Sequence, residues 1–318
     1  MHIFGRLLFI ALILLPAQAS AKWPERTVTL VVPFAAGGIT DLLARMTAQR
    51  LSAVFEQSFI VENVVGAAGT IATEKVARAA PDGYTLLFAT ITQISVAPFL
   101  NKITYDPIRD FKPVAIVGTS PFVITVSADF PANTLEEFVA HVKSNSGRMT
   151  YGTAGAGSLS HLSAAVFLKR AGIDMIMVPY KGLAPAFSDL LGGTVNMVSA
   201  TPVELKPFFE AKKLKFIASS GAGRSRMMPG VPTIAEAYAG HDIETWNGIV
   251  APTGTPQDII NKIADAVLTA NNDPSFIQRL ETLGVDPSRA TRDEFSAIIR
   301  KDMDLWRNRV SEMGLTIQ

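Results

Sequence analysis

The chain has no cysteine among its 318 residues. This absence excludes disulfides, thiolate nucleophiles and cysteine-based metal sites, and it leaves no cysteine to carry a lipid anchor. Histidine is scarce as well, since the chain has four, and no two of them lie three or four residues apart. That is the spacing at which helical zinc ligands share a face. We therefore expect neither a metal site nor a cofactor.

An excess of charge of one sign is also lacking, because 29 lysines and arginines stand against 28 aspartates and glutamates. Loss of residues 1–21 would remove Arg6 alone and leave the chain neutral. A neutral chain with no basic block is not typical of proteins that bind nucleic acid or an anionic membrane surface. Neither is expected as a partner.

The apolar run at residues 7–15 is shorter than the roughly 20 residues that a membrane-spanning helix needs. It follows Arg6 and precedes two small-residue sequences, Ala-Gln-Ala at 17–19 and Ala-Ser-Ala at 19–21, a pattern typical of a cleavable signal peptide. We expect residues 1–21 to be removed and the mature chain to be periplasmic and not membrane-embedded. An uncleaved anchor is the alternative.

Apolar residues are plentiful, at 48% of the chain, which suffices for the cores of two domains of about 100 to 150 residues. Short β-branched runs alternate with helical patterns, which predicts the α/β class with parallel sheets covered on both faces. Strands are predicted at residues 28–32, 58–63, 84–89, 114–117, 122–127, 149–151, 175–178, 195–199 and 214–219. In the last third we expect proline-rich connections at 229–237 and 249–256, then helices at 258–270, 274–283 and 291–313.

The stretch 28–41 contains the first candidate site, because Gly37 and Gly38 follow a strand and precede a helical pattern that begins near Thr40. A bare glycine turn at a helix N-terminus presents N–H groups and the positive end of the helix dipole, which suits an anion. An ordinary β-to-α turn capped by Thr40 or Asp41 is the alternative, since no phosphate-loop lysine follows.

Comparable turns follow four further strands, at residues 90–93, 152–158, 180–182 and 200–202. Ligands of open α/β sheets bind beyond the carboxyl ends of strands, so such turns gather at one edge of each sheet. Two edges that face each other across a cleft would enclose a small anion with backbone amides and hydroxyls. The recurrence favours an anion-binding cleft over a set of ordinary turns.

Two other groups of residues have alternative interpretations. Ser158 and His161 could be a nucleophile and its base, but the sequence does not match the Gly-x-Ser-x-Gly elbow, and a serine before a helix is a natural N-cap. A cap or a ligand-contacting hydroxyl is favoured, and no catalytic residue is expected. Trp246 is either an aromatic wall of the cleft or a core residue at a domain crossing.

Many short motifs occur in an order typical of one receptor family. They lie at residues 32–41, 61–63 with Gly66 and Gly69, 81–86, 105–107 with 110–111, 151–155 with 157–158 and 161–162, 178–182, 232–236, and 246–248 with 251–252 and 254–256. In these motifs the chain resembles the Bug-type extracytoplasmic solute receptors of tripartite tricarboxylate transporters. The resemblance extends from Trp23 to the last helix.

This resemblance implies a type II periplasmic binding protein, with two α/β lobes around a ligand cleft. One lobe is expected at 22–121 with 226–318, and the other at 122–225. It further implies a monomer that binds a small organic carboxylate, partly through ordered waters, and delivers it to the membrane permease subunits of the transporter. The residues expected to hold the ligand are Phe34, Ala35, Ala36, Gly37, Gly38, Thr90, Thr92, Thr153, Ala154, Gly157, Ser158, His161, Tyr180, Gly182, Ala200 and Thr201.

The chain departs from the family pattern in two places. Ala200 and Thr201 stand where members often carry Asp and Asn, and Ile91 stands where they tend to have a small polar residue. Both departures favour a ligand with a less polar far end, such as a dicarboxylate with an apolar body, an aromatic acid or a monocarboxylic acid. Two other functions stay open: a sensor subunit for a membrane kinase or chemoreceptor, and a secreted serine hydrolase.

Overall fold

Two β-sheets, each flanked by helices, make up the computed structural model, which describes residues 23–225 and 228–312. The predicted signal peptide at 1–21 lies outside the described residues. The strands are β1 (Val28–Val32), β2 (Phe59–Asn63), β3 (Thr85–Thr90), β4 (Phe111–Pro121), β5 (Val123–Ser127), β6 (Thr150–Thr153), β7 (Ile176–Pro179), β8 (Met197–Ala200), β9 (Leu214–Ser219), β10 (Glu244–Pro252) and β11 (Asp286–Pro287).

The helices follow most of these strands in the chain. They are α1 (Ile39–Phe55), α2 (Thr70–Ala77), α3 (Ala97–Leu100), α4 (Leu135–Ser144), α5 (Leu159–Ala171), α6 (Leu183–Leu191), α7 (Pro202–Glu210), α8 (Ile234–Ala237), α9 (Gln257–Ala270), α10 (Pro274–Thr282) and α11 (Arg292–Glu312). A 3-10 turn at Ala67–Gly69 and a π-helical turn at Thr92–Val96 complete the regular structure. None of the helices in the described ranges is both long and apolar enough to cross a bilayer.

The first sheet has the strand order β11-β4-β10-β3-β1-β2, and the second has the order β7-β6-β8-β5-β9. In each sheet three neighbouring strands are parallel: β2, β1 and β3 in the first, and β7, β6 and β8 in the second. Their carboxyl ends therefore share one edge, as expected. The α/β class is confirmed.

The prediction of wholly parallel sheets is wrong, because β10 is antiparallel to β3 and β4, and β5 is antiparallel to β8 and β9. The connection predicted at 249–256 is wrong in its first part, where residues 249–251 also have a strand-like pattern, and correct at 253–256. Residues 249–252 belong to β10, a buried central strand. Pro252 had indicated a strand breaker, but it is the last residue of β10, where proline is tolerated. The predicted connection at 229–237 likewise contains the short helix α8.

Both faces of the first sheet are packed. Leu30, Phe88 and Ile249 lie in a core with residues of α1 and α9, while Val31, Leu87 and Trp246 lie on the opposite face in a core with residues of α11. This alternation along β1, β3 and β10 is the period of two that a strand imposes. The second sheet is packed in the same way between two further cores.

The chain leaves the first sheet after β4, enters the second at β5, and returns between β9 and β10. Ser220 joins these two crossings. Its Oγ accepts from the Phe122 N–H at 2.9 Å and donates to the Ile243 carbonyl at 2.5 Å. Its own N–H donates to the Phe122 carbonyl at 2.8 Å. The predicted lobe limits at 121/122 and 225/226 stay a prediction, which the membership of the sheets supports.

Candidate ligand-binding cleft

The turn between β1 and α1 forms the first part of the site. Gly38 is the N-cap of α1, so neither Thr40 nor Asp41 caps the helix as the alternative interpretation required. Because glycine has no side chain, the first-turn N–H groups of α1 receive no side-chain cap, and they carry the positive end of the helix dipole. Gly37 has φ of 86°, a left-handed conformation that favours glycine. Residues 35–38 are exposed.

Asp41 holds this turn in place from below. Its buried carboxylate accepts from the Gly37 N–H at 2.9 Å, from Arg45 Nε at 2.9 Å and from Asn63 Nδ2 at 2.9 Å. Asn63 also donates to the Phe34 carbonyl at 3.0 Å. Burial by itself would raise the pKa of Asp41, but the bonds from Arg45, Gly37 and Asn63 outweigh burial and lower the pKa. The carboxylate is thus kept charged, and both of its oxygens accept hydrogen bonds from within the protein.

The turn after β3 is rigid as well. Thr90 donates its hydroxyl to Gln93 Oε1 at 2.9 Å and its N–H to the same atom at 3.1 Å. Gln93 is fully buried, and its amide donates to the Ala68 carbonyl at 3.1 Å. A Cβ on Gly69 would lie 2.5 Å from Gln93 Nε2 and 2.8 Å from Pro33 Cβ, so three turns are packed together at this edge. Thr92, partly exposed, lies at the start of the π-helical turn.

The turn after β6 begins the second edge. Ser158 is the N-cap of α5, as its cap interpretation predicts, and its Oγ accepts from the His161 N–H at 3.3 Å. The same hydroxyl donates to the Gly155 carbonyl at 2.7 Å and lies 2.9 Å from Ser160 Oγ. Hydrogen bonds inside the turn fix Thr153 and Ala154. Thr153 Oγ1 accepts from the Gly155 N–H, and Ser160 Oγ accepts from the Ala154 N–H.

His161 does not occupy the position of a general base for Ser158. Its Nδ1 accepts from the Gly157 N–H at 3.1 Å, and burial lowers the pKa of the imidazole, which favours the neutral form. The contact between Ser158 and His161 runs through the backbone N–H of the histidine. The two residues therefore form a helix cap and a turn brace, which is the favoured alternative to a nucleophile and its base.

The turns after β7 and β8 complete the second edge. The Tyr180 N–H donates to the Thr153 carbonyl at 2.9 Å, and its hydroxyl donates to Asp189 at 2.5 Å. Burial, followed by the bond to Asp189, raises the pKa of Tyr180 to about 12. Gly182, with φ of 95°, is the N-cap of α6, and like Gly38 it offers no side-chain cap.

Ala200 and Thr201 end β8 and start α7. Ala200 is fully buried among the residues of one core of the second sheet. The Thr201 hydroxyl donates to Glu204 Oε2 at 2.6 Å, and its N–H donates to the same oxygen at 3.1 Å. Burial raises the pKa of Glu204 despite these bonds. Ile91, whose departure from the family pattern predicts a less polar pocket, is packed in the core beneath the first sheet.

The two edges come close to each other at two points. A Cβ on Gly157 of the second edge would lie 3.5 Å from Leu100 Cδ1 of α3. A Cβ on Gly284, which precedes β11 of the first sheet, would lie 2.9 Å from the Val203 nitrogen of α7. The candidate site comprises the turns at these two edges, with the uncapped end of α1 in the first edge and that of α6 in the second.

Trp246 belongs to the core and is not an aromatic wall. It is 3% exposed, its ring meets Phe295 edge-on at 5.0 Å between centroids, and Nε1 donates to Asp302 at 3.0 Å. Within residues 23–225 and 228–312 no three histidine or acidic side chains are grouped so as to hold a metal ion. The sequence does not single out Asn63 and Gln93 as supporting residues, although Asn63 ends a predicted strand and Gln93 ends a predicted turn.

Two α/β sheets joined by two crossings, with glycine turns at the carboxyl ends of their parallel strands, are typical of two-lobed solute-binding proteins. Residues 43–315 match the model of the tripartite tricarboxylate transporter family receptor. BugT of Bordetella pertussis is 32% identical over 319 residues, which cover 98% of this chain and 97% of that protein. The chain belongs to the tripartite tricarboxylate transporter receptor family, whose members are periplasmic receptors that bind solutes for transport.

Solved structures agree with this assignment. Rpa4515 from R. palustris, solved with adipate, has a TM-score of 0.83 and 32% sequence identity, covering 93% of this chain and all of that one (100%). MatC from Rhodopseudomonas palustris, solved with bound malate, has a TM-score of 0.77 and 32% identity, covering 91% of this chain and 100% of that one. The family resemblance and the two-lobed receptor fold expected from sequence are confirmed.

Proposed function

We propose that this chain captures a small organic carboxylate in the cleft and delivers it to the permease of a tripartite transporter in the membrane. The observation that carries the proposal is the uncapped N-terminus of α1 at Gly38, held open by the buried Asp41. Dicarboxylates come first among the candidates, because Rpa4515 and MatC were solved with adipate and malate. The predicted ligand-contacting residues in the turns of both edges are part of this proposal.

The chemistry of the site favours recognition by backbone groups. The hydroxyls of Thr90, Ser158 and Thr201 already donate within the protein. N–H groups at the helix ends, the hydroxyls of Thr92 and Thr153, and ordered waters are then among the donors left for a carboxylate. Hydrogen bonds to a charged group contribute about 1.5 to 3 kcal/mol each, so three or four of them supply the roughly 8 kcal/mol of micromolar binding.

The same proposal places the protein in the periplasm as a monomer, after cleavage of residues 1–21. Closure of the two lobes about the crossings at Phe122 and Ser220 would exclude water from the bound carboxylate. Exclusion of water strengthens hydrogen bonds to a charged ligand and gives the permease a closed form to recognise.

The test is a thermal-shift screen of organic acids, sugars and amines on chain that begins at residue 22. A ligand at 100 times its Kd should stabilise the protein by about 2.7 kcal/mol. We expect one or more carboxylates to raise Tm and to do so less in Gly38→Val. Stabilisation by sugars or amines, with none by any carboxylate, would overturn the proposal.

A further inference from the structure

Gln93 is a fully buried polar side chain beneath the turn that follows β3. Its Oε1 accepts from the Thr90 N–H at 3.1 Å and from the Thr90 hydroxyl at 2.9 Å. Its Nε2 donates to the Ala68 carbonyl at 3.1 Å. One side chain therefore joins the end of β3 to the turn at residues 66–69, which follows β2.

The turn at 66–69 belongs to the same edge of the first sheet as the β1–α1 turn. Since β2, β1 and β3 are parallel neighbours, the segments that follow their carboxyl ends lie side by side. A Cβ on Gly69 would lie 2.5 Å from Gln93 Nε2 and 2.8 Å from Pro33 Cβ, so this turn lies directly against both of its neighbours. Residues 66–69 are not among those expected to hold the ligand, yet they are packed into the same edge.

The backbone of residues 66–69 needs support from outside the turn. All four residues have positive φ, at 142°, 45°, 53° and 90° in chain order, and the middle two are Ala67 and Ala68. In alanine the left-handed conformation persists only where the surrounding structure holds it. The bond from Gln93 Nε2 to the Ala68 carbonyl supplies such support from a neighbouring strand end.

Further buried hydrogen bonds surround this contact. The Tyr105 hydroxyl donates to the Gln93 carbonyl at 2.7 Å, and the Thr73 hydroxyl of α2 donates to the Gly69 carbonyl at 3.0 Å. Gln93 itself lies in the π-helical turn at Thr92–Val96, a form of helix that often occurs at functional sites. The main chain of Gln93 is thus held in place while its side chain holds two other segments.

The spacing of these segments bears on affinity through hydrogen-bond geometry. Hydrogen bonds weaken steeply as their distances and angles depart from the preferred range. Donors that are already in position cost less free energy on binding than donors that the ligand must first order. A side chain that fixes two turns of the edge therefore contributes to affinity without contacting the ligand.

We infer that Gln93 is a positioning residue of the ligand site: it holds the segments after β2 and β3 to each other, fixes the spacing of the first edge, and thereby raises ligand affinity. The inference rests on the proposed function, because it presupposes a carboxylate at this edge. It adds the turn at 66–69, and the side chain that holds it, to the parts of the fold on which binding depends.

Gln93→Met tests this, because it removes the three side-chain hydrogen bonds with little change in side-chain length. Calorimetric titration with the carboxylate that binds the wild type most tightly measures affinity at a temperature where the variant is folded. We expect affinity to fall by about tenfold, the effect of roughly one hydrogen bond. Hydrogen exchange at residues 66–69 of the ligand-free protein should become faster, because the turn is no longer tied to β3. Affinity within about twofold of the wild type would overturn the inference.

Asn271→Leu is the matched control. Asn271 is 1% exposed, and its Nδ2 also donates to backbone carbonyls of two separate segments, those of Ile116 at 3.1 Å and Ser288 at 2.7 Å. None of these residues lies in the turns of the candidate site. The substitution should lower Tm and leave affinity within about twofold of the wild type. A loss of affinity equal to that of Gln93→Met would show that affinity follows stability alone, and the inference would fail.

Gln93→Glu is the conservative variant, and it also serves if Gln93→Met does not fold. A protonated carboxyl group can accept from Thr90 and donate to the Ala68 carbonyl as glutamine does, whereas the charged form has no donor. Burial raises the pKa of a carboxyl group, so acidification restores the protonated form. Relative to the wild type at the same pH, affinity should be about tenfold weaker near pH 8 and approach the wild-type value near pH 5. A ratio of affinities that does not change with pH would contradict the role of the bond to Ala68.

Failure of the proposed function is distinguishable from failure of this inference. If the wild type bound no carboxylate, the proposed function would fail before any variant is compared. Binding by the wild type that survives Gln93→Met undiminished would overturn the inference about Gln93 alone.

Discussion

Two helix N-termini at the candidate cleft, those of α1 and α5, follow similar glycine-rich turns but are capped differently. At α1 the N-cap is Gly38, and the nearby carboxylate of Asp41 is turned inward to hold Gly37. At α5 the N-cap is Ser158, whose hydroxyl already accepts from the His161 N–H. An anion therefore finds uncapped N–H groups at α1, whereas at α5 it would have to displace a cap. Under the proposed function this comparison favours α1 over α5 as the helix that binds the carboxylate, while α6, whose N-cap is Gly182, is uncapped like α1.

The largest effect expected from this comparison is that of Gly38→Val. Gly38 has φ of −74° and ψ of 165°, which valine adopts readily, and its added Cβ would meet only the Ala35 carbonyl at 3.6 Å. The branched side chain would cover the end of α1. We expect affinity to fall at least 100-fold, about 2.8 kcal/mol, with Tm nearly unchanged.

Calorimetric titration with the carboxylate that binds most tightly measures the affinity, and a thermal melt measures Tm. Gly230→Val is the matched control, since Gly230 is exposed, has ordinary φ and has no atom within 4 Å of the added Cβ. Normal binding by Gly38→Val would show that the ligand does not touch the end of α1 and would remove the basis of the comparison.

Asp41→Asn should have the next largest effect. An amide cannot replace a carboxylate that accepts from Arg45, Gly37 and Asn63 together. We expect a loss of about 1 to 3 kcal/mol in the free energy of unfolding and roughly tenfold weaker binding, because the turn is no longer held. Asp258→Asn is the control, because Asp258 forms an exposed ion pair with Lys262 at the same four-residue spacing as Asp41 and Arg45. This substitution should change neither the stability nor the affinity.

The pH dependence of Asp41→Asn gives an independent check. Because the pKa of Asp41 is lowered in the fold, its contribution is present above the ordinary value of 3.8 and is lost as pH falls through the lowered value. The difference in unfolding free energy between wild type and variant should be constant from neutral pH down to about pH 5 and shrink below pH 4. Urea unfolding over this range measures it; a difference that grew on acidification would contradict the assignment.

Ser220→Ala tests whether the two edges move as lobes about their crossings. The variant loses the bonds that join Phe122 to Ile243, and we expect about 1 to 3 kcal/mol lower stability with affinity changed less than tenfold. Small-angle scattering with and without ligand would report a changed degree of closure. Ser144→Ala, at an exposed helix end, is the control. No change in stability would mean that Ser220 does not join the crossings.

The smallest effect is expected for Ser158→Ala. Loss of an N-cap costs about 1 kcal/mol, and affinity should fall by no more than roughly threefold, since the hydroxyl already serves the helix. No ester hydrolysis should be detected in either protein. A loss of affinity larger than that of Gly38→Val would reverse the comparison of the two edges and assign the carboxylate to α5.

The sequence predicted local elements well where local signals are strong. The helix predicted at 291–313 begins at Arg292, and Thr291 and Glu294 make both bonds of a capping box at its start. The strand at 214–219 is also where it was predicted. These features depend on neighbours within four residues, and the pattern alone carries that information.

The predictions that failed concern features that depend on residues far apart in the chain. β10 pairs with β3 and β4, which lie more than 120 residues earlier in the chain, and its direction is decided by where the chain returns from the second sheet. Prolines at 252 and 256 were the visible local signal there, and they indicated a connection.

The sequence by itself determined the family, the alternation of strands and helices, and the glycine turns at strand ends, because composition, periodicity and short motifs are local properties of the chain. The tertiary structure decided which of those turns keep uncapped N–H groups. That choice depends on where side-chain donors and acceptors are already used: Asp41 on Gly37, Thr90 on Gln93, Ser158 on its own helix. Hydrogen-bond capacity left over after folding is a property of the assembled protein, and it is this remainder that a ligand can bind.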